Sequence, residues 1–108
     1  LFECVSLVEM HHMELLAETI RLLGVSPRYR VFRNNQEVYW SGTYVYYGLS
    51  LCDMLAADIA GEWAAIAYYR DHQQRIADPY IRELLERIIL DEYHHIKLFN
   101  DVMQKYCK

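Results

Sequence analysis

The sequence lacks the features that identify several common classes of protein. Its three cysteines, Cys4, Cys52 and Cys107, form no CxxC pair, which argues against a thiolate zinc site or a redox dithiol. It contains no run of about 18 apolar residues, the length that a membrane span needs, and no signal-peptide pattern. No basic patch accompanies the net charge of −4, so a nucleic-acid partner is not expected. We therefore expect a cytoplasmic protein with free thiols and with neither a membrane nor a nucleic acid as its partner.

The sequence instead predicts one all-α domain, residues 1–108, with three long helices. Apolar residues recur at helical spacing over residues 2–23, 50–77 and 78–106, and 54% of the chain is hydrophobic. Gly24 and Pro27 are typical of a helix end, and Asp78 followed by Pro79 is typical of a helix start. The connection over residues 25–48 carries turn signals at Asn34–Asn35 and Ser41–Gly42, and its length predicts a crossover between parallel helices.

Ionisable residues interrupt the apolar stripe of each predicted helix. The first helix contains Glu9-x-x-His12, the third contains Glu92-x-x-His95, and the second carries Glu62 at an inward position. Residues three apart on a helix lie on the same face. An unpaired buried carboxylate costs several kcal/mol, so such groups are paired or bound to a metal. Because Glu62 and the second motif lie at matching distances from the turn near Asp78, an antiparallel hairpin would bring them level.

These motifs resemble those of the ferritin-like di-iron and di-manganese carboxylate proteins, most closely the rubrerythrin and bacterioferritin branches, with the manganese catalases nearby. That superfamily uses one Glu from each of two helices and a Glu-x-x-His from each of the other two. The resemblance implies a ferritin-like antiparallel helical bundle with a long crossover. It also implies a ligand set of two carboxylates that bridge or terminate the site, one further terminal carboxylate and two imidazoles: Glu9, Glu92, Glu62, His12 and His95.

Three further residues are candidates for supporting roles. The resemblance implies that Asp91 orients the metal-bound imidazole of His12, a usual device for holding a metal ligand. Asp58 lies one turn before Glu62 and is interpreted either as a proton relay or extra ligand or as a structural carboxylate. Tyr69 is interpreted either as a core aromatic residue or as a redox-active tyrosine.

The pattern of the superfamily requires a fourth helix with another glutamate, about 30 positions before Glu9 and therefore upstream of Leu1. We expect that this helix was lost by truncation, the alternative being that a partner subunit supplies the fourth side. In either case the exposed stripes predict a homo-oligomer.

Oxygen and imidazole ligands suit two Fe ions, or alternatively two Mn ions. The resemblance then predicts a ferroxidase or a peroxide-reducing oxidoreductase that uses O₂ or hydrogen peroxide and takes electrons from a separate donor protein. A manganese catalase is the alternative within the same class. A helical assembly module without catalytic activity is the alternative from another class.

Overall fold

The structure is a computed structural model that describes residues 1–28, 30–41, 43, 45–46 and 48–107. It contains the helices α1 (Phe2–Leu22), α2 (Leu51–Arg75) and α3 (Pro79–Tyr106), and between α1 and α2 the strands β1 (Arg30–Arg33) and β2 (Gln36–Tyr39). The predicted all-α class with three long helices is confirmed. The chain divides into two compact units, a helical unit of Leu1–Ser6 with Gly48–Lys108 and a hairpin unit of Leu7–Tyr47.

Local hydrogen bonds fix the starts of α2 and α3 where the sequence predicts them. The hydroxyl of Ser50 accepts a hydrogen bond from the backbone N–H of Asp53 at 3.1 Å. The carboxylate of Asp78 accepts from the backbone N–H groups of Tyr80 and Ile81 at 2.8 and 3.2 Å. Such bonds satisfy backbone donors that the first turn of a helix leaves without an intrahelical partner. α2 ends at Arg75, two residues earlier than predicted.

Replacing Asp78 with alanine should lower the free energy of unfolding by about 1 kcal/mol, since the cap of α3 loses both hydrogen bonds. Urea denaturation followed by circular dichroism measures this change. Asp101→Ala is the matched control, because it removes an exposed carboxylate that pairs with Lys97 on the surface of the same helix. The control should change stability by no more than about 0.5 kcal/mol. Equal losses in the two variants would contradict a capping role for Asp78.

Polar contacts set the register of the α2–α3 hairpin. Arg70 donates to the carboxylate of Glu86, and the side-chain amide of Gln73 donates to Glu86 and to the backbone carbonyl of Arg82, both at 3.0 Å. The bonds from Arg70 and Gln73 hold the pKa of the Glu86 carboxyl below its usual range. Residues later in α2 contact residues earlier in α3, so the two helices run antiparallel.

Two groups of buried apolar side chains form the core of the helical unit. The first group contains Val5, Leu55 and Phe99, and the second contains Ile66, Ile89 and Ile96. The ring of Phe2 lies 5.9 Å from that of Phe99. The apolar positions of α3 from Leu85 to Phe99 are largely buried, whereas Tyr106 at the end of the helix is 61% exposed. Glu92 and His95 lie on α3 between Ile89 and Ile96, two members of the second group.

The hairpin unit contains residues 7–22 of α1 and a two-stranded antiparallel sheet. α1 ends before Gly24, whose φ of +85° is a conformation that glycine adopts readily. Asn34 and Asn35 have φ values of 52° and 62°, as a tight two-residue hairpin requires. The predicted turn at these asparagines is therefore confirmed, and the predicted turn at residues 41–42 falls partly outside the described residues.

The prediction of three free thiols was wrong. Cys52 and Cys107 form a disulfide with their Cα atoms 5.8 Å apart, and Cys4 is a free, exposed thiol. The physical reason is the antiparallel hairpin, which brings the start of α2 and the end of α3 to the same end of the unit. Sequence spacing conceals this, because the two cysteines are 55 residues apart.

Within the part of the chain that the structure describes, no helix has both the length and the apolar character that crossing a membrane requires.

Candidate metal centre

Three of the predicted metal ligands meet inside the α2–α3 hairpin. The His95 Nδ1 atom lies 3.5 Å from Glu62 Oε2 and 3.7 Å from Glu92 Oε1. One ligand atom from each side chain can be chosen so that all lie within 4.8 Å of one another. Glu92 and His95 are only 2% and 3% exposed, and the Glu62 side chain is 12% exposed. The three residues therefore surround one small, nearly dry volume.

Helix geometry and hairpin register together produce this arrangement. Glu92 and His95 lie one turn apart on the face of α3 that also buries Ile88 and Phe99. Glu62 faces them because α2 and α3 run antiparallel from a turn near Asp78. The structure thus places Glu62 level with the second Glu-x-x-His motif.

The donor set fits a divalent transition metal. Two carboxylates within a few ångströms in a nearly dry site repel each other, and a bound cation removes this cost. Carboxylate oxygens with an imidazole nitrogen suit iron or manganese, whereas structural zinc favours thiolates. The cluster contains carboxylate and imidazole groups and no cysteine. The three side chains therefore supply donor atoms suited to a metal centre.

The first Glu-x-x-His motif forms a similar pair in the hairpin unit. His12 Nδ1 lies 3.4 Å from Glu9 Oε2, one turn away on α1. The His12 side chain is 4% exposed, and the Glu9 side chain is 39% exposed. A buried imidazole beside a half-buried carboxylate repeats the chemistry of Glu92 and His95.

The histidines next to the motifs differ from the motif histidines in burial. His11 and His94 are exposed, whereas His12 and His95 are each 3% exposed. Consecutive helical residues point about 100° apart, so only one histidine of each pair lies on the inward face. His94 is therefore a natural control for experiments on His95.

Two of the residues predicted to support the site lie on α2. Asp58 is partly buried one turn before Glu62, and this burial raises the pKa of its carboxyl group. Tyr69 packs against the apolar group that contains Ile66 and Ile89, with its ring 6.1 Å from that of Tyr68. Tyr69 thus contributes to the core, and its redox role stays a prediction.

Asp91 is partly buried on α3. Its carboxylate lies 4.0 Å from the guanidinium of Arg87, one turn earlier. The role of Asp91 in orienting the imidazole of His12 stays a prediction.

The sequence analysis did not identify the polar contacts that set the position of Glu62 along α3. Arg70 and Glu86 carry opposite charges at nearly equal distances from the turn at Asp78, and they meet across the hairpin. That symmetry is the sequence signal that could have identified the pair.

The chain matches the family described as Ubiquinone biosynthesis protein COQ7 over residues 50–107. The match includes α2, α3 and the three residues Glu62, Glu92 and His95. Glu9 and His12 precede it. No curated protein and no solved structure matched the chain.

Proposed function

Because the chain belongs to the COQ7 family, a branch of the ferritin-like di-iron carboxylate superfamily, we propose that it hydroxylates an aromatic ring precursor of ubiquinone. The reaction replaces a ring C–H bond with C–OH. One oxygen atom of O₂ enters the product, and the other leaves as water after uptake of two electrons and two protons. An external reductant supplies the electrons, in line with the separate donor protein expected from the sequence.

The observation that carries the proposal is the convergence of the nearly buried side chains of Glu62, Glu92 and His95. Two iron ions held there would supply the two-electron chemistry that O₂ activation requires. The protein holds the donor atoms on two rigid helices. The apolar residues on either side of Glu92 and His95 limit the access of water, which reduces unproductive loss of reducing equivalents.

We propose that Glu9 and His12 complete the ligand set formed by Glu62, Glu92 and His95. The support is the repeated motif, with a buried imidazole beside a carboxylate in each copy. Asp91 and Asp58 are proposed to orient ligands or carry protons. Tyr69 is proposed to lie at the edge of the site.

Oxidation of free Fe(II) and reduction of peroxide use the same kind of ligand set, and a manganese catalase differs only in its metal. The family match favours hydroxylation, because ubiquinone biosynthesis requires oxygen atoms on an aromatic ring. Hydroxylation differs from the other activities in a measurable way, since only hydroxylation transfers an atom of O₂ to an organic product.

The test supplies the Fe(II)-loaded chain with ¹⁸O₂, a reductant and a prenylated aromatic ring that lacks one hydroxyl group. Mass spectrometry should find a product with one added ¹⁸O atom. His95→Gln should lower the rate of product formation by about 100-fold or more, since loss of an interaction that only supports a ligand already costs 10-fold to 100-fold. His94→Gln should retain the activity of the original chain.

Iron oxidation or peroxide consumption without a hydroxylated product would overturn the hydroxylase proposal in favour of the ferroxidase or peroxidase reading. Activity that survives His95→Gln would overturn the assignment of the site. A chain that binds no metal and has none of these activities would support the assembly module.

A further inference from the structure

We propose that the hairpin unit contains a binding site for a phosphate-type anion, bounded by Ser26, Pro27, Arg28, Arg30 and Tyr39. These residues line a cavity of about 380 Å³. That volume lies in the range of small-molecule sites. None of the five residues belongs to a Glu-x-x-His motif, so the inference does not depend on the proposed hydroxylase activity.

The local backbone places the cavity residues together. The turn at Asn34–Asn35 closes a hairpin in which Arg30 pairs directly with Tyr39. Pro27 has a fixed φ, which restricts the segment that leads from the end of α1 into β1. The cavity is therefore bounded by a regular strand pair and by Pro27, whose backbone has limited freedom.

Arg30 is held in one orientation at the cavity. Its Nη2 atom donates to the hydroxyl of Tyr39 at 2.9 Å, and its guanidinium carbon lies 4.5 Å from the centre of the Tyr39 ring. The hydrogen bond to Tyr39 raises the pKa of Arg30 above its usual value. A guanidinium that is fixed before binding loses little conformational entropy when an anion arrives.

The charge around the cavity favours an anion. The segment over residues 26–39 contains three arginines and one acidic residue, Glu37, in a chain whose net charge is −4. Glu37 lies 3.9 Å from Arg30 and is about half exposed, so it neutralises this arginine only in part. Among the residues that the structure describes, no carboxylate pairs with Arg28. Two guanidinium groups and the Ser26 hydroxyl can therefore all donate to phosphate oxygens.

The test titrates the full chain with inorganic phosphate in a calorimeter, against chloride at the same ionic strength. Phosphate should bind at one site. Arg28→Gln should weaken binding by about tenfold, the loss of one charge-assisted hydrogen bond. Arg30→Gln should weaken it at least as much. Arg33→Gln removes the same charge from the same hairpin outside the cavity, and it should change the affinity by less than about twofold.

Binding to lipid vesicles distinguishes a phosphate group on a lipid headgroup from one on a soluble compound. Binding to phosphatidylcholine vesicles that contain phosphatidic acid, weakened by Arg28→Gln and reversed by free phosphate, would support a lipid headgroup as the ligand. Binding of free phosphate without binding to these vesicles would support a soluble phosphate compound.

The absence of phosphate binding overturns the proposal, as does an equal loss of affinity in Arg28→Gln and Arg33→Gln. Arg28 makes no described contact within the hairpin, so its variant should fold even if Arg30→Gln disturbs the pairing with Tyr39.

Discussion

Replacing Glu92 with glutamine should abolish tight metal binding while leaving the metal-free protein folded. The glutamine has nearly the same shape but cannot supply a negative charge. Because removing a group that only supports a ligand costs 10-fold to 100-fold in metal affinity, loss of this buried carboxylate should cost about 100-fold or more. Iron content after dialysis against a weak chelator measures the effect.

Thermal unfolding provides a second readout that does not require turnover. Metal that binds only the folded state raises its stability by an amount that grows with concentration. Fe(II) added under anaerobic conditions should therefore raise the Tm of the original chain and not that of Glu92→Gln. Without metal, the variant should be at least as stable, because burying a charged carboxylate is unfavourable.

Glu83→Gln is the matched control, since Glu83 is an exposed residue of the same helix. It should retain both the iron and the increase in Tm. If Glu92→Gln also keeps the increase, Glu92 does not bind the metal, and the centre must be assigned to other residues.

The sequence alone was sufficient to predict the three helices. The period of the apolar residues predicted α3, and its caps predicted where it begins, because both signals are local. The exposure of Tyr106 at the end of α3 was not predicted, since the period of apolar residues does not show where a neighbouring element ceases to cover the helix.

The pairing of Cys52 with Cys107 could not be read from spacing, because it depends on where two helix ends meet in space. The same limit applies to the strands on either side of Asn34–Asn35. Their turn was evident from the asparagines, but four-residue strands are too short to show a clear period.

The superfamily was predictable because its metal ligands occur in the repeated Glu-x-x-His motif. Membership of the COQ7 family confirms the superfamily. The rubrerythrin and bacterioferritin branches named with it are not confirmed. Branches of this superfamily share their ligands and differ in the substrate that reaches the metal. The ligand spacing of residues such as Glu92 and His95 therefore indicates the superfamily without specifying its metal or its reaction.

Reducing the disulfide should have the largest effect on stability that does not involve the metal. The link between Cys52 and Cys107 closes a loop with a sequence separation of 55 residues. Closing a loop of this length lowers the entropy of the unfolded chain enough to stabilise the fold by about 4 kcal/mol. The double variant Cys52→Ser, Cys107→Ser should therefore unfold at a clearly lower urea concentration than the oxidised chain.

Cys4→Ser is the control, because this exposed thiol lies in the same helical unit and forms no disulfide. It should leave the midpoint of unfolding unchanged, and adding a reductant should then lower that midpoint as far as the double variant does. A count of reactive thiols in the unfolded, unreduced chain should give one rather than three. Three reactive thiols, together with a double variant as stable as the original chain, would show that Cys52 and Cys107 remain reduced. The apolar contacts around Leu55 and Phe99 would then hold that end of the hairpin without a covalent link.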